Sequence, residues 1–84
     1  MGDMIKFDVE KTDTYGGEAN YSWVERTTID VSREASQAQI MRLAKRAVGM
    51  AGVRGRTTQM GGIEGYEFRP YGACVVLFVT FHDE

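Results

Sequence analysis

Eighty-four residues with a net charge of −2 make one domain, with room for roughly one sheet and one helix. An apolar share of 43 %, including four Tyr, four Phe and one Trp, excludes a disordered chain, and a single Cys excludes an internal disulfide. The charge is segregated: residues 1–34 carry eight Asp/Glu against four Lys/Arg, residues 64–84 carry four against one, and between Glu34 and Glu64 there is no acid and five bases, Arg42, Lys45, Arg46, Arg54 and Arg56. A basic middle between acidic flanks implies two electrostatic faces and favours binding over catalysis.

Residues 4–12 alternate, with Ile5, Phe7 and Val9 on one side and Lys6, Asp8 and Glu10 on the other, as in a half-buried strand. Met1 to Asp3 are expected to be an expression remnant or a disordered start, so the domain runs over 4–82. No basic start or apolar stretch marks a signal peptide, and Lys6 stands where a myristoylation signal wants Ser or Thr. Residues 13–20 are turn-rich and predict a hairpin loop. The second strand spans 21–31. Tyr21, Trp23, Ile29 and Val31 share a parity, broken at Glu25 and Thr27, which suggests a bulge. Trp23 is expected to fill the core, and Tyr15 to be exposed.

A helix is predicted over 33–50. Ser32 is its N-cap, Glu34 lies in the first turn, and Gly49 and Gly52 are the stop. At helical spacing Ile40, Leu43, Ala44, Ala47, Val48 and Ala51 form the apolar stripe, with Arg42, Lys45 and Arg46 opposite. Residues 53–60 predict a third strand with Arg54 and Arg56 on one face. Gly61-Gly62 is a turn, 63–69 a fourth strand, and Arg69-Pro70-Tyr71-Gly72 a type I turn.

The last strand, 73–82, is apolar on both parities, and Cys74 is expected to be a small core residue. Its apolar run, Cys74 to Val79, is too short to span a bilayer. The order β-β-α-β-β-β predicts an α+β fold, one antiparallel sheet with the helix on one face. One helix leaves the second face of the last strand uncovered. A loop, another protein, or a second copy packed back to back as a homodimer would cover it.

Chemistry is sparse. There is one His and one Cys, with no close-spaced ligand pair, so no metal, no cofactor and no catalytic residue is expected. The tail His82-Asp83-Glu84 is expected to be a frayed end. Asp8 and Glu10 share a strand face, and a solvated face accounts for them. Neither Gly pair has the context of a phosphate loop. The basic group Arg42, Lys45, Arg46, Arg54 and Arg56 is the first candidate for a partner, either an acidic protein surface or nucleic acid. Segment 12–24 is the second, with Tyr15, Glu18 and Tyr21 as contacts.

That segment, with Ala47-Val48-Gly49, Gly52-Val53-Arg54 and Arg69-Pro70 before the apolar last strand, resembles a set of small phage and prophage proteins from Ile5 to His82. By analogy of size, charge and origin, the resemblance implies an accessory protein of anti-CRISPR type. Such a protein acts in the host cytoplasm, away from membranes, and blocks a host defence complex by occlusion without catalysis. The alternatives are a small nucleic-acid-binding module and a structural phage protein that assembles through its sheet.

Overall fold

The computed structural model describes residues 3–59 and 65–82. Strands β1 (Met4–Tyr15) and β2 (Glu18–Ser32) form a long hairpin, followed by helix α1 (Gln37–Ala47). Strands β3 (Gly55–Gln59), β4 (Gly65–Pro70) and β5 (Val75–Phe81) complete the chain. All pairings are antiparallel, in one open sheet of order β2-β1-β5-β4-β3. The predicted α+β fold and element order hold. The Gly61-Gly62 turn lies outside the described residues.

Alternation along the strands decides which side chains meet the helix. In register, Phe7 and Val9 of β1, Ile29 and Val31 of β2, Leu77 and Val79 of β5, and Tyr66 and Phe68 of β4 lie on one face. Ile40, Met41, Ala44 and Val48 of the helix close the core over them, with Met50 just beyond. An edge-to-face contact of Phe7 with Phe81, 5.9 Å between ring centres, seals one end.

The helix starts four residues later than expected. Ser36, not Ser32, is the N-cap: its Oγ accepts from the Gln39 N–H at 3.2 Å, and Gln39 Oε1 accepts from the Ser36 N–H at 2.9 Å. This reciprocal box needs Glu or Gln three residues after the cap. Ser36 has Gln39 there, whereas Ser32 has Ala35. Ser32 instead turns the chain, accepting from the Ala35 N–H at its carbonyl and from the Glu34 N–H at its hydroxyl. Glu34 therefore lies outside the helix. The expected stop at Gly49 is present. Gly49 has φ +74°, and the N–H groups of Gly49 and Met50 donate to the carbonyls of Arg46 and Lys45.

The apolar stripe is rotated from the expected one. Met41 is buried, Leu43 is half-buried, and Ala47 and Ala51 are exposed. The buried line runs through 41, 44 and 48, so Lys45, one turn after Met41, falls on its margin and not opposite it.

Other boundaries move too. Strand β1 continues to Tyr15, and only Gly16 and Gly17 form the hairpin loop, both with positive φ as a tight two-residue turn requires. Pro70 ends β4, so the next turn begins at Tyr71. Cys74 precedes β5 and is exposed, because the apolar run enters the sheet only at Val75. His82 is not frayed: its N–H donates to the Lys6 carbonyl, and its Nδ1 lies 2.7 Å from Asp8 Oδ1.

Part of the second sheet face is covered from within. Val76 and Thr12 are fully buried there. Arg69, which pairs with Glu67, donates to the Gly17 carbonyl of the hairpin tip, so the chain closes one end of this face itself. Phe78 remains half-buried in a hollow lined also by Asp8, Glu10, Arg26, Thr28 and Thr80. The demand for a covering partner, raised by the doubly apolar strand, shrinks to that one side chain.

Two substitutions test this packing. Ala44 has no exposed surface, so Ala44→Asp should abolish the cooperative thermal transition followed by circular dichroism. A Cβ on Gly55 would lie 2.6 Å from Pro70 Cα, a backbone atom of the paired strand. Gly55→Ala should therefore lower stability by about 1–3 kcal/mol in urea denaturation.

Candidate functional site: a basic cleft beside the helix

Between α1 and the β3 edge runs a cleft of about 690 Å³. Arg42, Lys45 and Arg46 of the helix and Arg54 of the incoming loop line it, and among the described residues no acidic side chain does. Met41, Val53 and Phe68 contribute apolar surface, and Tyr71 stands at the rim, 71 % exposed. Residues distant in sequence meet here because the chain leaves the helix through Gly49 and returns antiparallel beside β4. The Tyr71 N–H donates to the Arg54 carbonyl at 3.0 Å, which pins this return.

The four bases do different things. Lys45 is half-buried. Its Nζ donates to the Val53 carbonyl at 2.9 Å and lies 4.7 Å from the Phe68 ring centre. That is a structural use of the charge, a cation over an aromatic face and a tie to the loop. Arg42, Arg46 and Arg54 are exposed and form no ion pair with another described residue. Their guanidinium groups are available to carboxylates or phosphates, which they grip in bidentate fashion.

Arg56 departs from expectation. In register it stands opposite Arg69, on the sheet face away from the helix, and it lines no part of the cleft. Alternation forces this: Gly55 and Thr57 take the helix side, so Arg56 must take the other.

The second candidate segment is a separate feature. Register jumps from Thr12 opposite Val24 to Thr14 opposite Ala19, so Asn20 to Trp23 bulge out opposite Asp13. Asp13 clamps the bulge. Its carboxylate accepts from Ser22 Oγ at 2.7 Å, Asn20 Nδ2 at 2.8 Å and the Ser22 N–H at 2.9 Å. The Ser22 hydroxyl, then the Asn20 amide, hold this carboxyl far below its ordinary value of 3.8. Buried Thr12 adds a bond from its hydroxyl to the Trp23 carbonyl at 2.7 Å.

The bulge turns its aromatics outward. Tyr21 has φ +56°, the left-handed region that a bulky residue rarely adopts, and is 50 % exposed. Trp23 is 44 % exposed with Lys11 Nζ 6.0 Å from its ring centre, so it does not fill the core as expected. Tyr15 is exposed, as expected, and Glu18 lies beside it at the hairpin tip. None of Tyr15, Glu18 and Tyr21 lines the basic cleft.

Two features escaped sequence reasoning. One is the pairing of His82 with Asp8, which joins residues at opposite ends of the chain and has no local signal. The other is the Asp13 clamp, for which Asp-x₆-Asn-x-Ser around a Gly-Gly turn was the available cue. Among the described residues no group of three or more His, Cys, Asp or Glu is placed to hold a metal ion. No described helix is long and apolar enough to cross a membrane. No family model, curated protein or solved structure matches the chain.

The strain at Tyr21 is open to measurement. Tyr21→Gly should leave stability unchanged or raise it, whereas β-branched Tyr21→Val should lower it by about 1–2 kcal/mol in urea denaturation. The clamp has a pH signature as well. Because the folded carboxyl is depressed, its stabilisation is complete above the unfolded value and is lost only as pH falls through the folded one. The Ser22 amide resonance should therefore hold its position from about pH 5 to about pH 3, where ordinary carboxylates titrate.

Proposed function

We propose that this is a non-catalytic binding protein that docks its basic cleft on an acidic surface of a host protein complex and blocks that complex. One observation carries the reading: Arg42, Arg46 and Arg54 converge, exposed and free of ion pairs to the described residues, on a cleft with apolar surface and no acid among the described residues that line it. A few guanidinium groups beside apolar surface suit an acidic protein segment with one or two apolar anchors. On the opposite sheet face Asp8, Glu10, Asp30 and Glu67 are offset by Lys6, Arg26, Arg56 and Arg69, so the uncompensated positive charge of the described residues gathers at the cleft and would orient the molecule on such a target. The resemblance to small phage proteins supplies the host setting and the occluding role.

A second reading, a module for single-stranded nucleic acid, draws on one feature. Tyr71 at the cleft rim offers an exposed ring on which a base would stack beside the arginines.

The test replaces the three free arginines and leaves Lys45 in place. Arg42→Glu, Arg46→Glu and Arg54→Glu together should change stability by no more than about 1 kcal/mol, since all three are exposed. Immobilised wild-type protein should capture a partner from host lysate that survives nuclease treatment, and the triple variant should lose it at least tenfold. Capture abolished by nuclease would favour the second reading. Undiminished capture by the triple variant would refute both.

A further inference from the structure

We infer that two copies of this chain join through the outer edge of β2, in the antiparallel register that sets Thr28 opposite the second copy's Thr28. β2 is an edge strand of fifteen residues, while the other edge, β3, has five. From Val24 to Ser32 its pairing with β1 is regular, without a bulge. Arg33 donates its N–H to the Asp3 carbonyl, so odd-numbered residues along this stretch turn their backbone groups toward β1. Val24, Arg26, Thr28 and Asp30 therefore turn theirs to the free edge.

A free edge this long normally invites unwanted strands, and charges are the usual defence. Here the charges have a pattern that accepts one partner, the chain itself. With Thr28 at the two-fold axis, Arg26 lies opposite the second copy's Asp30, and Asp30 opposite the second copy's Arg26. Centring on Arg26 or on Asp30 would set like charges face to face. Centring on Thr27 or Ile29 would leave both charges without their opposites. Only the Thr28-centred register pairs both.

Pairs already present within the chain extend the match. Glu10 binds Arg26 at 2.8 Å, and Lys6 binds Asp30 at 3.1 Å. Each row across the joint sheet then reads Glu10, Arg26, the second copy's Asp30, the second copy's Lys6, with signs alternating throughout. Arg26 and Asp30 keep 72 % and 60 % of their side chains exposed despite their internal partners, so both remain open to a further one. On the helix side the same register sets half-buried Ile29 against the second copy's Thr27. About two backbone hydrogen bonds form at each of the pairs centred on 26, 28 and 30. The joint is isologous and closes at two copies. It uses the sheet edge, not the sheet face.

Sedimentation velocity over a concentration series should show the wild type doubling its mass. Arg26→Asp alone and Asp30→Arg alone each place two like-charge contacts in the joint and should raise its dissociation constant at least tenfold. An equimolar mixture of the two variants has two opposite-charge contacts and should regain the dimer. Circular dichroism reports whether each variant is folded. A second probe needs no charge change. Paired residues of this kind lie about 5.5 Å apart, within disulfide reach. In a Cys74→Ser background Thr28→Cys should cross-link on mild oxidation, and Asp30→Cys should not. Wild type that stays monomeric at about 1 mM, folded variants that do not re-pair on mixing, or cross-linking through Asp30→Cys in preference to Thr28→Cys would overturn the inference.

Discussion

The phase in which the helix meets the sheet governs how the basic cleft is arranged. A single helix has to cover a five-stranded sheet, and it does so with Met41, Ala44 and Val48 inward. That phase brings Lys45 over the Phe68 ring and within reach of the Val53 carbonyl. The tie holds the loop after the helix close to the helix itself. Arg54 is thereby carried to the side of Arg42 and Arg46, and the cleft exists because of it. A helix rotated to bury Ala47 and Ala51 would swing Lys45 into solvent and leave the arginines without a common wall.

The two faces of the sheet divide the electrostatic work. On the helix side, basic residues gather beside apolar surface, and a cleft of this kind suits recognition of an anionic partner. On the other side, acids and bases alternate in pairs such as Glu10 with Arg26 and Lys6 with Asp30. Internal pairing leaves that face nearly balanced. Two copies joined along β2 would keep both helices on one side of a continuous sheet, and the two basic clefts would then face the same way.

The hairpin follows a different logic. A left-handed tyrosine is held by an aspartate with three hydrogen bonds to the bulge, in a region where a regular ladder would have been easier to build. The clamp offsets the backbone cost and the bulge exposes Tyr21 and Trp23. Both aromatics lie on the long arm, away from the cleft, so the two candidate segments form distinct surfaces.

Much of this was legible locally. The alternation at 4–12 and the Gly49 stop depend on neighbours along the chain, and both appear where the residues imply them. The cap was legible too, though at Ser36 through Gln39 and not at Ser32, because a complete capping box outranks a lone serine. Segregated charge also survives folding: four of the five central bases do meet. Outside the reach of local pattern lay the helix phase, the burial of Met41, the outward turn of Trp23, the exposure of Cys74 and the position of Arg56 on the far face. Each depends on a residue distant in sequence: Phe68 under the helix, Asp13 across the hairpin, β4 beside β3. Sequence by itself therefore determined the elements, their order and the segregation of charge, which arise from periodicity and capping within a few residues. Tertiary structure alone decided which charges stay free, since that follows from packing between strands and a helix that the chain brings together only on folding.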